Sequence, residues 1–234
     1  MPLPLHTFHL IALVSMTMQE PYILYEDNHL LAIYKPAGWL VQGDHTGDYT
    51  LTEWGKKYLA EKYDKPGAVF LHPAHRIDRP VKGAVLFART SKALSRLTVL
   101  FKEKKVHKVY EAIVLKAPFP AAATLTHYLL KDSGRNLVKA FHKPADGAKE
   151  SITRYETVQK LDGGRCLLSV FPETGRPHQI RAQLAAIGCP VEGDLKYGAS
   201  QALPDASISL CCRSMDIIHP VQQVPLRIEA PSLI

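Results

Sequence analysis

Strand-like apolar patterns cover most of this chain, and helical spacing of apolar residues occurs in only three segments. The helical segments run from Thr50 to Tyr63, from Ser91 to Lys105 and from Thr174 to Gly188. Strand patterns, with short antiparallel strands expected in the middle of the chain, occupy residues 22–38, 83–90, 106–115, 124–158, 164–172, 207–213 and 225–230. Because strands outnumber helices and do not alternate with them regularly, the pattern predicts an α+β fold with a mainly antiparallel mixed sheet.

The length and composition are those of one globular domain. With 234 residues, 46% of them apolar, the chain can bury one large core, and no long linker divides it. We therefore expect a single domain from residue 19 to residue 234. The first eighteen residues include an apolar run, FHLIALV, that no lysine or arginine precedes and that is too short to cross a bilayer. We expect residues 1–18 to be a disordered or mis-assigned extension, and the protein to be cytoplasmic, without membrane contact.

The charge balance favours an anionic partner. The chain has 29 lysines and arginines against 22 acidic residues, which gives a formal charge of +7. Nucleic acid is the commonest partner of a basic domain. The four cysteines form no CxxC pair, and Cys211 and Cys212 are adjacent on a strand, where neighbouring side chains point to opposite faces. This spacing argues against a zinc or disulfide framework and predicts small buried thiols in a reducing compartment.

One aspartate lies in a strongly cationic stretch, HPAHRIDRPVKGA, at residues 72–84. Arg76 and Arg79 flank Asp78 and would hold its carboxylate ionised, so that it could act as a nucleophile or base. The simpler alternative is an ion pair in a loop. A third reading is a metal site formed by Asp78 with His72 and His75, as in a metal-dependent hydrolase, but Pro73 prevents the three-residue spacing from forming one helical face.

Two further stretches carry residues suited to chemistry. In HKVYEAIV, Tyr110 shares a strand face with Lys108 and could stack on a base or move a proton, although a strand tyrosine is more often part of the core. In TGRPHQIRAQL, Pro177 suits the first turn of a helix. Arg176, His178 and Arg181 would then form an anion-binding surface near the helix N-terminus, or a solvated basic face, and one arginine could pair with Asp78.

Taken together, these motifs resemble those of a known enzyme family. HRIDRPVKGAVLFA, KVYEAIV and TGRPHQIRAQLAAIGCPVEGDLKYG occur in the order and at the intervals typical of the RluA-type RNA pseudouridine synthases. NHLLAIYKPAGWLV is similar to the opening strand pair of that family. The resemblance extends from about Tyr22 to the end of the chain. It implies the pseudouridine synthase fold, with helices packed around the sheet and a central RNA-binding cleft.

The resemblance also implies roles for particular residues. Asp78 matches the catalytic aspartate, Tyr110 the active-site tyrosine, and Arg181 the basic residue that pairs with the aspartate. Arg76 matches an arginine expected to enter the RNA in place of the flipped nucleotide. The remaining residues expected to contact RNA are Arg79, Lys82, Lys108, Arg176 and His178. Such an enzyme isomerises uridine in RNA without a cofactor or metal, and we expect it to act as a monomer.

Two departures from the family pattern bear on the substrate. Val81-Lys82-Gly83 stands where the family commonly has Thr-Ser-Gly, and we expect this protein to lack the S4-like RNA-binding domain that many members carry. The Asp78-Arg79-Pro80 run is most similar to the transfer-RNA-modifying branch, so tRNA is the favoured substrate and ribosomal RNA the alternative. An RNA-binding protein of this fold without catalysis is the other reading.

Overall fold

The computed structural model describes residues 19–132 and 134–234, so the expectation for residues 1–18 lies outside the described part of the chain. The strands are β1 Tyr22–Glu26, β2 Leu30–Lys35, β3 His72–Pro73, β4 Lys82–Ala88, β5 His107–Val114, β6 Ala122–Asp132, β7 Leu137–Phe141, β8 Lys149–Lys160, β9 Cys166–Pro172, β10 Leu210–Ile218 and β11 Pro225–Glu229. The helices are α1 Leu51–Lys62, α2 Ser91–Lys102 and α3 Gln179–Ala186.

The strands form one mixed sheet. Its order is β1-β2-β4-β10-β5-β9-β8-β6-β7, with β3 added to β4 and β11 added to β10. Only β4 and β10 pair in parallel among the described strands, and the other pairs are antiparallel. The predicted α+β class and mainly antiparallel sheet are confirmed. Over residues 124–158 the expected antiparallel pairing is present and β7 is short, but the expectation of short strands is wrong for β6 and β8, which are 11 and 12 residues long.

A side-chain cap fixes the start of α1, and backbone geometry fixes the start of α3. Thr50 caps α1: its side chain accepts from the Glu53 N–H, and the Glu53 carboxylate accepts from the Thr50 N–H. The expectation that Pro177 opens the third helix is wrong. His178 lies in the left-handed region with φ 50°, so regular α3 geometry starts only at Gln179.

The core lies along the centre of the sheet. Every residue of β2 is buried, as is every residue of β4 after Lys82. All four cysteines are free and buried, as their spacing predicts. Helix α3 packs against β6 and β8, where buried Gln183 hydrogen-bonds Thr153 of β8 and the Leu125 carbonyl of β6. In residues 19–132 and 134–234, no helix has the length and apolar character needed to cross a membrane.

Candidate active site

The loop at residues 74–81 carries Asp78 between β3 and β4. Its first residue is fixed by the Ala74 N–H, which donates to the Leu86 carbonyl at 2.8 Å. Its end is a tight turn in which the Val81 N–H donates to the Asp78 carbonyl at 3.0 Å. Asp78 is thus half-buried on a fixed turn, with 26% of its side chain exposed.

A buried lysine holds this loop from behind. Lys35, at the end of β2, is fully buried, and its Nζ donates to the carbonyls of Pro36 at 3.0 Å, Trp39 at 2.9 Å and Arg79 at 3.0 Å. Burial lowers the pKa of Lys35 to about 7, against the opposing effect of the Asp78 charge. The lysine therefore ties the opening strand pair to the residue next to Asp78.

Gly83 permits the close strand contact that brings Tyr110 near the loop. Gly83 has φ +119°, and a Cβ there would lie 2.4 Å from the Cys212 carbonyl oxygen. Cys212 of β10 pairs with Gly83 on one side and with Tyr110 of β5 on the other. A side chain at this position would therefore clash with β10, which gives a steric reason for the glycine at residue 83.

Tyr110 is buried on β5, with 8% of its surface exposed. Burial raises its pKa well above the ordinary value, and the charges of Cys212 and Asp78 act in the same direction. The phenol is therefore protonated at neutral pH. Its position suits both the predicted core role and a place in the wall of the site.

Arg181 joins Asp78 to a second carboxylate. Its NH1 donates to Asp78 Oδ2 at 2.9 Å, while its Nε and NH2 donate to Asp194 Oδ2 and Oδ1 at 2.6 and 2.8 Å. The Arg181 side chain is 5% exposed and that of Asp194 is 1% exposed. Burial opposes the guanidinium charge, but hydrogen bonds and charge from the two carboxylates outweigh it and raise the pKa of Arg181.

His178 and Tyr197 complete the group around Asp78. His178 Nε2 lies 3.9 Å from Asp78 Oδ2, and its Nδ1 lies 2.8 Å from the Tyr197 hydroxyl. The Arg181 guanidinium lies over the Tyr197 ring, 4.9 Å from its centroid. His178 and Arg181 thus both turn inward to Asp78, so only Arg176 of the predicted anion-binding surface is exposed. The predicted alternative, an arginine paired with Asp78, is confirmed.

The other basic residues singled out from the sequence occupy different surroundings. Arg76 is exposed, and exposed Arg79 pairs with Asp48 at 2.7 Å instead of with Asp78. Arg176 is exposed, and its Nε approaches the Glu150 carbonyl at 3.4 Å. Lys82 and Lys108 are half-buried, and burial lowers the pKa of Lys108. Exposed Arg76, Arg79 and Arg176 are better placed for phosphate than Lys108.

The alternative metal site does not form among the described residues. No group of three histidine, cysteine or acidic side chains there is arranged to hold a metal ion. His75 Nε2 accepts from the Leu86 N–H at 3.1 Å, and its ring stacks on Phe101. Because this nitrogen and the Asp78 carboxylate already have partners, His72, His75 and Asp78 do not make a ligand set.

Three residues of this group were not found from the sequence. Asp194 and Tyr197 lie in EGDLKYG and Lys35 lies in YKPAG, and both segments belong to the motifs that resemble the family. The residues next to Asp194, Tyr197 and Lys35 do not predict that these polar side chains are buried or half-buried. A buried pairing such as Arg181 with Asp194 depends on the loop after α3, which periodicity does not predict.

Comparisons with known proteins identify the family of this chain. The family model described as RNA pseudouridylate synthase matches residues 29–186, more than half of the chain. The chain belongs to the RNA pseudouridylate synthase family. This confirms the resemblance to RluA-type synthases that the motifs indicated. The matched region includes Asp78, Tyr110 and Arg181 and ends before Asp194.

Two bacterial relatives of this synthase family differ in their named substrates. The chain is 36% identical over 183 residues to ribosomal large subunit pseudouridine synthase C of Rickettsia prowazekii, covering 78% of the chain and 58% of that protein. It is 28% identical over 225 residues to tRNA pseudouridine synthase C of Vibrio cholerae, covering 89% of each. The chain thus spans about three fifths of the length of the Rickettsia relative.

A solved structure supports the fold. Human RNA pseudouridylate synthase domain containing 4 superposes with a TM-score of 0.74 at 22% identity, covering 90% of this chain and 88% of that one. The pseudouridine synthase fold expected from the motifs is therefore confirmed.

Proposed function

We propose that this protein is an RNA pseudouridine synthase, an isomerase in which Asp78 is the catalytic residue. The observation that carries the proposal is the partly exposed Asp78 carboxylate on a fixed turn, paired at 2.9 Å with an arginine that is itself held by the buried Asp194. A carboxylate that is paired, oriented and open on one side suits nucleophilic or basic attack. Membership of the synthase family supplies the reaction class.

The proposed reaction rearranges one nucleoside without net loss or gain of atoms. Asp78 attacks or deprotonates the nucleoside as the bond from N1 to C1′ breaks. The freed uracil rotates and bonds to C1′ through C5, and the C5 proton leaves while N1 gains a proton. Tyr110, a buried and protonated phenol, would stack on the uracil and is the candidate for the proton transfer. The balance requires no oxidant, cofactor or metal.

Basic residues around the loop would hold the RNA. A base inside folded RNA must be extruded before Asp78 can reach it, at a cost of a few kcal/mol. Exposed Arg76 would enter the RNA in place of the flipped nucleotide, while Arg79, Lys82 and Arg176 would contact phosphates. The formal charge of +7 favours such sequence-independent contacts.

The target RNA has two candidates. The Asp78-Arg79-Pro80 run favours tRNA, which is the substrate named for the Vibrio relative. The higher identity to the Rickettsia relative favours large-subunit ribosomal RNA as the second candidate. We take tRNA as the first substrate to test.

Tritium release from RNA that contains 5-tritiated uridine tests the proposal, because forming the C5 bond expels that hydrogen. Unmodified tRNA and large-subunit ribosomal RNA are assayed separately with the wild-type protein, with and without a chelator. We expect release from tRNA that the chelator does not reduce. Release from ribosomal RNA alone would change the target, and loss of release with chelator would contradict the proposed metal-free reaction.

RNA binding measured in parallel separates catalysis from binding. If the wild-type protein binds both RNAs tightly and releases tritium from neither, the protein is an RNA-binding member of the fold and not the proposed enzyme. Retained RNA affinity without release in Asp78→Asn is the expected pattern for a catalytic aspartate.

A further inference from the structure

The surroundings of His178 determine which of its ring nitrogens carries the proton. The Tyr197 hydroxyl oxygen accepts from the Val138 N–H at 2.9 Å. Its own proton is then directed to the other polar atom in contact, His178 Nδ1 at 2.8 Å. An imidazole that accepts at Nδ1 must, when neutral, carry its hydrogen at Nε2. The Nε2–H faces Asp78 Oδ2 at 3.9 Å.

Tyr197 and His178 are in the protonation states that this hydrogen bond requires. Burial raises the pKa of Tyr197 to about 12, so the phenol retains its proton. Burial lowers the pKa of His178. The charges of Arg181 and Lys196 act in the same direction, and those of Asp78 and Asp194 oppose them. Neutral His178 and protonated Tyr197 therefore coexist at neutral pH.

We propose that His178 is a positioning residue for Asp78, held by Tyr197 as the Nε2–H tautomer. Arg181 NH1 and His178 Nε2 both approach Oδ2 of the aspartate, and Oδ1 is the oxygen that neither of them contacts. Arg181 and His178 thus hold Oδ2, and Oδ1 is the oxygen left to react with the nucleoside. The distance of 3.9 Å is longer than a hydrogen bond, and catalytic contacts often tighten only in the complex with substrate. The inference rests on the proposed function of Asp78.

The backbone at His178 supports a role beyond helix capping. A histidine with φ 50° occupies the left-handed region, which costs free energy for a residue other than glycine. The side chain makes no capping hydrogen bond to α3. The left-handed conformation instead directs the ring towards Asp78 and Tyr197. These contacts compensate for the backbone strain at His178.

Two substitutions at His178 separate positioning from a structural role. The Gln amide reaches about as far as Nε2 and can donate to Asp78, whereas the Asn amide ends near the Nδ1 position. Asparagine, however, tolerates the left-handed region better than glutamine. We expect His178→Asn to lower kcat for tritium release about tenfold, equivalent to one weak charged hydrogen bond, and to leave KM nearly unchanged. His178→Gln should recover most of kcat. A merely structural role predicts the reverse order, and an Asn variant as active as the Gln variant would overturn the proposal.

The tautomer is measured independently of activity. In the free protein at pH 8, two-bond ¹H–¹⁵N correlations should show His178 with its hydrogen on Nε2, identified by the signals lost in His178→Asn. Tyr197→Phe should raise the fraction of the Nδ1–H tautomer. An Nδ1–H tautomer in the wild-type protein would overturn the proposal. If the wild-type protein released no tritium from any RNA, the proposed function would fail while the tautomer result remained interpretable.

Discussion

Removing Arg181 is expected to destabilise the protein as well as to inactivate it. The guanidinium makes three hydrogen bonds to carboxylates, two of them to Asp194, whose side chain is 1% exposed. Arg181→Met leaves the Asp194 carboxylate buried without its partner. Breaking a buried ion pair from one side costs about 3–5 kcal/mol of the free energy of unfolding. Because urea slopes of about 3 kcal/mol per M are usual for this size, the unfolding midpoint should fall by about 1–1.7 M.

The double variant Arg181→Met/Asp194→Asn identifies the source of this loss. Removing the Asp194 charge relieves the unpaired carboxylate, so the double variant should regain about 2 kcal/mol over the single one. Activity should not return, because Asp78 still lacks its arginine. Urea unfolding followed by fluorescence gives the stabilities, and tritium release gives the activities.

Arg227→Met is the matched control for this cycle. Arg227 also contacts two carboxylates, Asp216 and Glu229, but its side chain is 56% exposed. A surface pair contributes about 0–1 kcal/mol, so this variant should unfold close to the wild-type midpoint. If Arg181→Met were as stable as Arg227→Met, or if Asp194→Asn gave no recovery, the buried pairing would not stabilise the site as described.

Three further variants test the site from other sides. Gly83→Ala should lower the free energy of unfolding by about 3 kcal/mol or more, because the new Cβ would meet the Cys212 backbone at a residue with positive φ. A urea midpoint near that of the wild-type protein would contradict this steric account. Lys35 has a pKa lowered to about 7 when folded, so the unfolded chain binds its proton more tightly between pH 7 and about 10. The stability of the wild-type protein relative to Lys35→Met should therefore rise over that interval, and a constant difference would count against a buried, titrating lysine. Tyr110→Phe keeps the ring and removes the proton, and should lower tritium release about 100-fold with RNA affinity kept; unchanged release would leave the hydroxyl without a chemical role.

The secondary structure was predictable because local patterns determine it. Thr50 followed by Glu53 predicts the start of α1, and both hydrogen bonds of that cap are present. The start of α3 was misplaced because the left-handed geometry of His178 arises from its contacts with Asp78 and Tyr197, which are distant in sequence. The long β6 and β8 were read as short strands because polar residues on their exposed faces resemble turns.

The site was predictable only as far as motif resemblance reached. Asp78, Tyr110 and Arg181 come from three separated motifs, and the structure pairs Asp78 with Arg181 directly. The partner of Arg79 is Asp48, and the second partner of Arg181 is Asp194. Neither pairing has a sequence signal, because each depends on how two loops meet in three dimensions.

The central claim is that the Asp78 carboxylate converts uridine to pseudouridine, and direct nucleoside analysis tests it. RNA incubated with wild-type protein, Asp78→Asn or Asp64→Asn is digested to nucleosides, and pseudouridine is quantified by chromatography and mass spectrometry. Asp64 is an exposed aspartate just after α1, so its substitution makes the same chemical change away from the site. We predict pseudouridine from the wild-type and Asp64→Asn proteins and none from Asp78→Asn, with equal RNA affinity for all three. Pseudouridine formation by Asp78→Asn at the wild-type rate would contradict the claim.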